Sequence, residues 1–127
     1  MRTASTIARF LLGAVFLVFG LNGFLHFIPA PLPPGMAGQF VGAIFSSGYW
    51  VVIFALQAIV GILLLINRYV PLALTLLGPV IVNIFFFHVF MAPSGLPLAI
   101  VVVILWFLVY HRVRGAFSGL YRATEES

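Results

Sequence analysis

Five side chains carry most of the chemistry this sequence offers: Asn22, His26, Gln57, Asn83 and His88. Each lies in or at the end of a long apolar run, where a polar group is costly and usually turns toward a protein interior or a water-filled cavity. Imidazole and carboxamide N–H groups donate to carbonyl oxygens, so together they suit the head of a quinone or another small apolar ligand. His26 and His88 are also a pair of the kind that ligates a b-type haem. Both lie shallow in their runs and they are one pair only, which argues against haem. The amides serve equally well as hydrogen bonds between helices, worth about 0.6 kcal/mol each in membrane proteins. The imidazoles serve equally well as interfacial side chains with polar tips. Ligand site and structural glue both stay open on the sequence.

The elements that must position these residues are apolar segments close to the ~20 residues that cross a hydrocarbon core. The first runs from about residue 7 to 28 and ends at Pro29. The second runs from 49 to 66, opened by Gly48 with Tyr49 and Trp50 and stopped by Asn67 and Arg68. The third runs from 71 to 91, with Pro71 suited to a first helical turn because its missing N–H would be unpaired there. The fourth runs from 97 to 113, after the Pro93-Ser94-Gly95 turn. The first segment is longer than a signal-peptide core of about 7–15 residues. The nearest small-residue cleavage site, Ala30, is followed by Pro31, so the segment is expected to be retained.

Composition leaves little alternative to a bilayer. Of 127 residues, 64% are hydrophobic and 6% charged, with a mean hydropathy of +1.26, whereas an ordinary soluble domain carries about 25% charged residues. The net charge of +4 comes from scattered arginines that form no continuous stripe, so a nucleic-acid partner is not expected. The absence of cysteine excludes disulfides, thiolate metal sites and iron–sulfur clusters held by this chain alone. No metal site is expected.

The charges set an orientation. Arg2 and Arg9 precede or open the first segment, Arg68 separates the second from the third, and Arg112, Arg114 and Arg122 end or follow the fourth. The connections 29–48 and 92–96 carry no charge. The positive-inside rule therefore predicts a multi-pass protein of the cell (inner) membrane with both termini cytoplasmic. The fold expected is an all-α four-transmembrane-helix bundle forming one domain, with a cytoplasmic tail over 114–127. That tail, with Glu125 and Glu126, is expected to be solvated. Within the first outer loop, Phe40, Ile44 and Phe45 beside Gln39 predict a short interfacial helix after the Pro29–Pro34 entry.

Depth links the five side chains. At about 1.5 Å per residue, Asn22, Gln57 and Asn83 lie about 9–12 Å below the outer boundary, with His26 and His88 about 3–5 Å below it. A polar pocket open to the outer face is the expectation. Asn22 and His26, four apart, share a helix face. Asn83 and His88, five apart, diverge by roughly 140° unless Pro79 alters the local pitch. Gly13, Gly20 and Gly61 fit close helix approach. The Asn–His pairing in the first and third segments hints at a parallel repeat.

Several stretches resemble the DoxX family of small membrane proteins. They are Arg9–Gly13, Phe19-Gly20-Leu21-Asn22-Gly23 leading to His26-Phe27, Phe40 to Tyr49, Gly61 through Leu65, and Pro71-Leu72-Ala73-Leu74 leading to Pro79, Asn83 and His88. The resemblance covers about residues 7–112. It implies a four-helix membrane bundle and an association with quinone-linked redox complexes or membrane-protein handling. Relatives often carry an acidic residue where this chain has Gln57, and the exchange weakens any proton-transfer role.

Two functions follow. One is an accessory subunit of a redox-associated system, binding a quinone or other small apolar ligand through Asn22, His26, Gln57, Asn83 and His88. The other is a membrane assembly or interaction protein with no small-molecule chemistry. The chain has no evident electron carrier, which argues against an enzyme acting alone. Redox-complex partners and a homo-oligomer are both compatible with the sequence.

Overall fold

The long apolar runs fold as helices, with Arg9, Gly13, Gly20, Gly61 and Pro79 accommodated inside them. The computed structural model describes residues 2–29 and 31–124. Helix α1 spans Arg2–Leu25, α2 Gly35–Ser46, α3 Trp50–Leu65, α4 Val70–Phe90 and α5 Leu96–Val113. A 3-10 turn, Pro93–Gly95, leads into α5, and a 3-10 helix, Arg114–Tyr121, follows it. There is no strand among the described residues. Ala30, Glu125 and Glu126 lie outside them.

The ends of the helices have identifiable causes. Helix α1 starts at Arg2, earlier than the apolar run, because Ser5 and Thr6 turn their hydroxyls back onto the Arg2 carbonyl at 3.0 Å each. It stops at Leu25, before residue 28, because His26 takes a left-handed backbone with φ 53°. At the end of α3, Asn67 is left-handed with φ 57°. The Arg68 N–H reaches the Leu63 carbonyl at 3.0 Å and the Asn67 N–H reaches that of Leu64 at 3.4 Å, the paired closure of a Schellman motif. Helix α4 opens after Tyr69, also left-handed, and runs unbroken through Pro79.

Helices α1, α3, α4 and α5 share one core. Leu12, Val60, Leu64, Leu74, Leu77 and Val109 are its largest fully buried members. Between α1 and α3 the backbones themselves touch. A Cβ placed on Gly20 would lie 2.5 Å from the Ala58 nitrogen, and one on Gly61 would lie 2.5 Å from that of Leu17. The glycines thus have the role their spacing suggested. This matters because lipid is as apolar as leucine, so helices in a bilayer associate through close packing and hydrogen bonds. Between α4 and α5 the Trp106 indole N–H donates to the Leu74 carbonyl at 3.0 Å, a turn before Pro79.

The tail departs from expectation. Instead of being wholly solvated, the 3-10 helix after α5 turns back so that Phe117 is buried in the core cluster. Its ring lies 5.2 Å from that of Tyr110, which stacks at 5.5 Å on Trp106. A large aromatic beside Gly115 and Gly119 can reach the bundle end, and burying it outweighs leaving it in water.

The outward surface is apolar on most sides: Leu25 is 65% exposed, Phe90 76% and Phe107 58%. Such a surface is compatible with lipid and not with water. Three helical stretches are long and apolar enough to cross a membrane, Arg2–Leu25, Val70–Phe90 and Pro93–Tyr121. A fourth is added when α2 and α3, bent by 87° at their junction, are taken as one. The protein is a membrane protein built of helices.

Candidate functional site

The five residues singled out by type and depth occupy separate places. Asn22, in the last turn of α1, is half-buried and turned onto the chain that leaves the helix. Its Oδ1 accepts from the Ile28 N–H at 2.6 Å and its Nδ2 donates to the Ile28 carbonyl at 3.3 Å. His26 stands beyond the helix end and is exposed. It therefore does not share a helical face with Asn22, as the four-residue spacing suggested, because its left-handed backbone takes it out of the helix. Histidine is among the few non-glycine residues enriched in that conformation.

Asn83 faces outward and is exposed, with its Nδ2 donating at 2.9 Å to the Pro79 carbonyl of its own helix. It does not point into the bundle. A carboxamide on an apolar surface lowers its cost by bonding back to the preceding turn. His88, in the last turn of α4, places Nδ1 2.8 Å from the Ile84 carbonyl, which assigns the proton to Nδ1. Its ring covers the Pro93–Gly95 turn so closely that a Cβ on Gly95 would lie 2.2 Å from Cδ2. Pro79 does not bring Asn83 and His88 to one side.

Gln57 is different. It is only 7% exposed and makes no side-chain hydrogen bond with any described residue. No fully sealed side-chain nitrogen or oxygen lacks a partner among the described residues. The Gln57 amide therefore keeps a narrow accessible edge, and its hydrogen-bonding capacity is unused within the described fold. Val60, Gly61 and Leu64 share its buried face. No side-chain hydrogen bond joins any two of the five residues, and neither cavity described below is lined by any of them.

The first of those cavities, about 300 Å³, lies between α4 and α5. Gly78, Ile81, Phe85, Phe86, Trp106 and Phe107 are among its walls. It has no polar lining, since the one indole N–H nearby is committed to Leu74. It could take an alkyl chain or a ring but offers a carbonyl nothing to bond. The second cavity, about 180 Å³, opens at the opposite end of α1 from Asn22. Ser5, Thr6, Arg9, Asn67 and Arg112 line it with Val70, Val109 and Val113.

This second group was missed as a site because each member has a plain explanation in sequence. The arginines read as topology signals and Asn67 as a helix stop. One signal was available: Arg9 is the one charged residue within the first apolar run, 7–28. The structure shows why it is tolerated. Its Nη1 donates to the Leu64 carbonyl and, at 3.3 Å, to that of Leu65. The guanidinium thereby caps α3 at its negative end and lies 4.4 Å from the centre of the Phe10 ring.

Fold and cavities define the class: a membrane protein whose described residues build helices, with an apolar cavity between α4 and α5 and a cationic cavity at the arginine-rich end. Comparison with protein-family models, with curated proteins and with solved structures gives no match.

Proposed function

We propose that this chain is a four-span protein of the cytoplasmic membrane, with both termini inside, that works by holding a protein partner. In this reading its polar side chains build the scaffold. One observation carries it: Asn22, Asn83 and His88 each direct a polar side-chain atom to a backbone carbonyl within their own helix or its exit turn. The N–H that makes each of these bonds is not presented to a ligand. Helix α3 counts as a span in this reading although its 16 residues cover only about 24 Å, because it lies along α1 with backbones in contact. Helix α2, set at 87° to α3, then lies along the outer interface. It is pinned by Phe40 on Phe87 and by Phe45 on Phe54, with ring centroids 5.4 and 5.7 Å apart. Met36, 68% exposed at its start, is left for contact. The resemblance to DoxX proteins supports the same role, as an accessory subunit of a redox-linked assembly.

Native mass spectrometry of the gently extracted protein tests the reading. A stoichiometric protein partner or a second copy, with no quinone-like molecule retained, is expected. A retained quinone-like molecule would overturn it. Gln57 keeps that second reading in view: a buried amide with a free hydrogen-bonding capacity is what the head of a small apolar ligand would need.

A further inference from the structure

We infer that the cavity at the arginine-rich end is a binding site for a phosphate group, carried by an anionic lipid headgroup or by a free ion. The inference goes beyond partner holding and does not depend on it. It requires only that this end of the bundle meet the membrane surface.

Three separate elements bring their polar groups to the cavity: α1 supplies Ser5, Thr6 and Arg9, the turn after α3 supplies Asn67, and α5 supplies Arg112. Both guanidinium groups are held in place. Arg9 is tied to the end of α3 through Nη1. Arg112 donates through Nη1 to the Ser5 Oγ at 3.4 Å, and that hydroxyl, 3% exposed as a residue, is itself fixed on the Arg2 carbonyl. The hydroxyl hydrogens of Ser5 and Thr6 both go to Arg2, so these side chains buttress the site. Its donors are the remaining N–H groups of the two arginines and the Asn67 amide. Each guanidinium has five N–H donors in a planar fork that matches phosphate oxygens.

The charge balance points the same way. Two cations line one cavity of about 180 Å³, and the described residues include no carboxylate side chain to separate them, because the two acids of the chain are Glu125 and Glu126. Like charges in a partly buried space repel strongly unless an anion lies between them. The valines that close the cavity provide an apolar margin, suited to the glycerol end of a lipid below its phosphate.

The protein in nanodiscs or mixed micelles permits a direct test. Native mass spectrometry should show phosphatidylglycerol retained over phosphatidylcholine, and Arg112→Gln should reduce that preference about fivefold, since one basic residue near a charged headgroup is worth about 1 kcal/mol. Arg112 is exposed, so this variant keeps the fold. Arg114→Gln, outside the cavity, should change little. In phosphatidylcholine discs, a thermal shift on adding inorganic phosphate that Arg112→Gln abolishes would assign the site to the free ion. An Arg114→Gln loss equal to that of Arg112→Gln would overturn the site as ordinary surface electrostatics. So would the absence of both lipid preference and phosphate shift. The double variant Glu125→Gln, Glu126→Gln should retain as much phosphatidylglycerol as the parent. A clear gain would mean that the tail carboxylates fill the cavity, and would also overturn it.

Discussion

Asn22 and Ile28 are joined twice, side-chain oxygen to backbone N–H at 2.6 Å and side-chain nitrogen to backbone carbonyl at 3.3 Å. This clasp spans the point where α1 gives way to the proline-rich connection. Both backbone groups of Ile28 would otherwise lack partners where water is scarce. Asn22→Leu removes two hydrogen bonds and should lower stability by about 1–3 kcal/mol. Asn22→Asp keeps the acceptor for the Ile28 N–H and should fall between Leu and the parent. Thermal melting in detergent ranks the three. An Asn22→Leu protein as stable as the parent would remove the structural role assigned to this amide.

His26 allows a cleaner experiment, because backbone and imidazole can be separated. With φ at 53°, the position favours glycine, and a β-branched residue there costs roughly 1–2 kcal/mol. His26→Gly should therefore match or exceed the parent in melting temperature, and His26→Val should fall below it. If the imidazole instead held the fold together, both substitutions would destabilise alike.

The contact between α1 and α3 predicts opposite outcomes for one kind of substitution. Gly20→Ala drives a methyl to 2.5 Å from the Ala58 nitrogen, whereas a Cβ on Gly42 in α2 meets nothing within 4 Å. The first should cost about 1–3 kcal/mol by overpacking. The second should gain up to about 1 kcal/mol from helix propensity. Melting curves showing Gly20→Ala to be neutral would mean that the two helices do not lie this close.

Much of this architecture was legible because few interactions decide it. Apolar runs bounded by Pro71, by Pro93-Ser94-Gly95 and by Asn67-Arg68 leave little freedom in where helices lie, and α3, α4 and α5 begin and end within a residue or two of the sequence boundaries. The extension of α1 to Arg2 was hidden because polar Thr3, Ser5 and Thr6 look like a flank until the Ser5 and Thr6 hydroxyls are seen bonded to the Arg2 carbonyl. Burial of Phe117 was hidden by its glycine-rich neighbours. The candidate site was the least legible part. Residue type and depth correctly mark Asn22, Asn83 and His88 as costly, but the cheapest partner for each is a carbonyl a turn or so away along the chain. A one-dimensional depth scale cannot distinguish that solution from a shared pocket. Arg9 and Arg112 meet only through the packing of α1 against α5.

Gln57 gives the measurement that divides the two proposed functions. Its amide gains no hydrogen bond from any described residue, yet the residue is 93% buried beside Val60 and Leu64, so no hydrogen bond within the described fold offsets its desolvation. Replacing it with leucine, of similar size, removes a polar group without breaking a protein–protein bond. Such exchanges are near neutral or stabilising. Gln57→Leu should thus melt at or above the parent temperature. In the partner-holding reading, partner retention in native mass spectrometry should be unchanged as well. In the ligand reading, the same variant should keep its stability and lose the bound molecule, because leucine offers it no hydrogen bond. A marked drop in melting temperature would contradict both, since it would require a hydrogen bond that the structure does not contain.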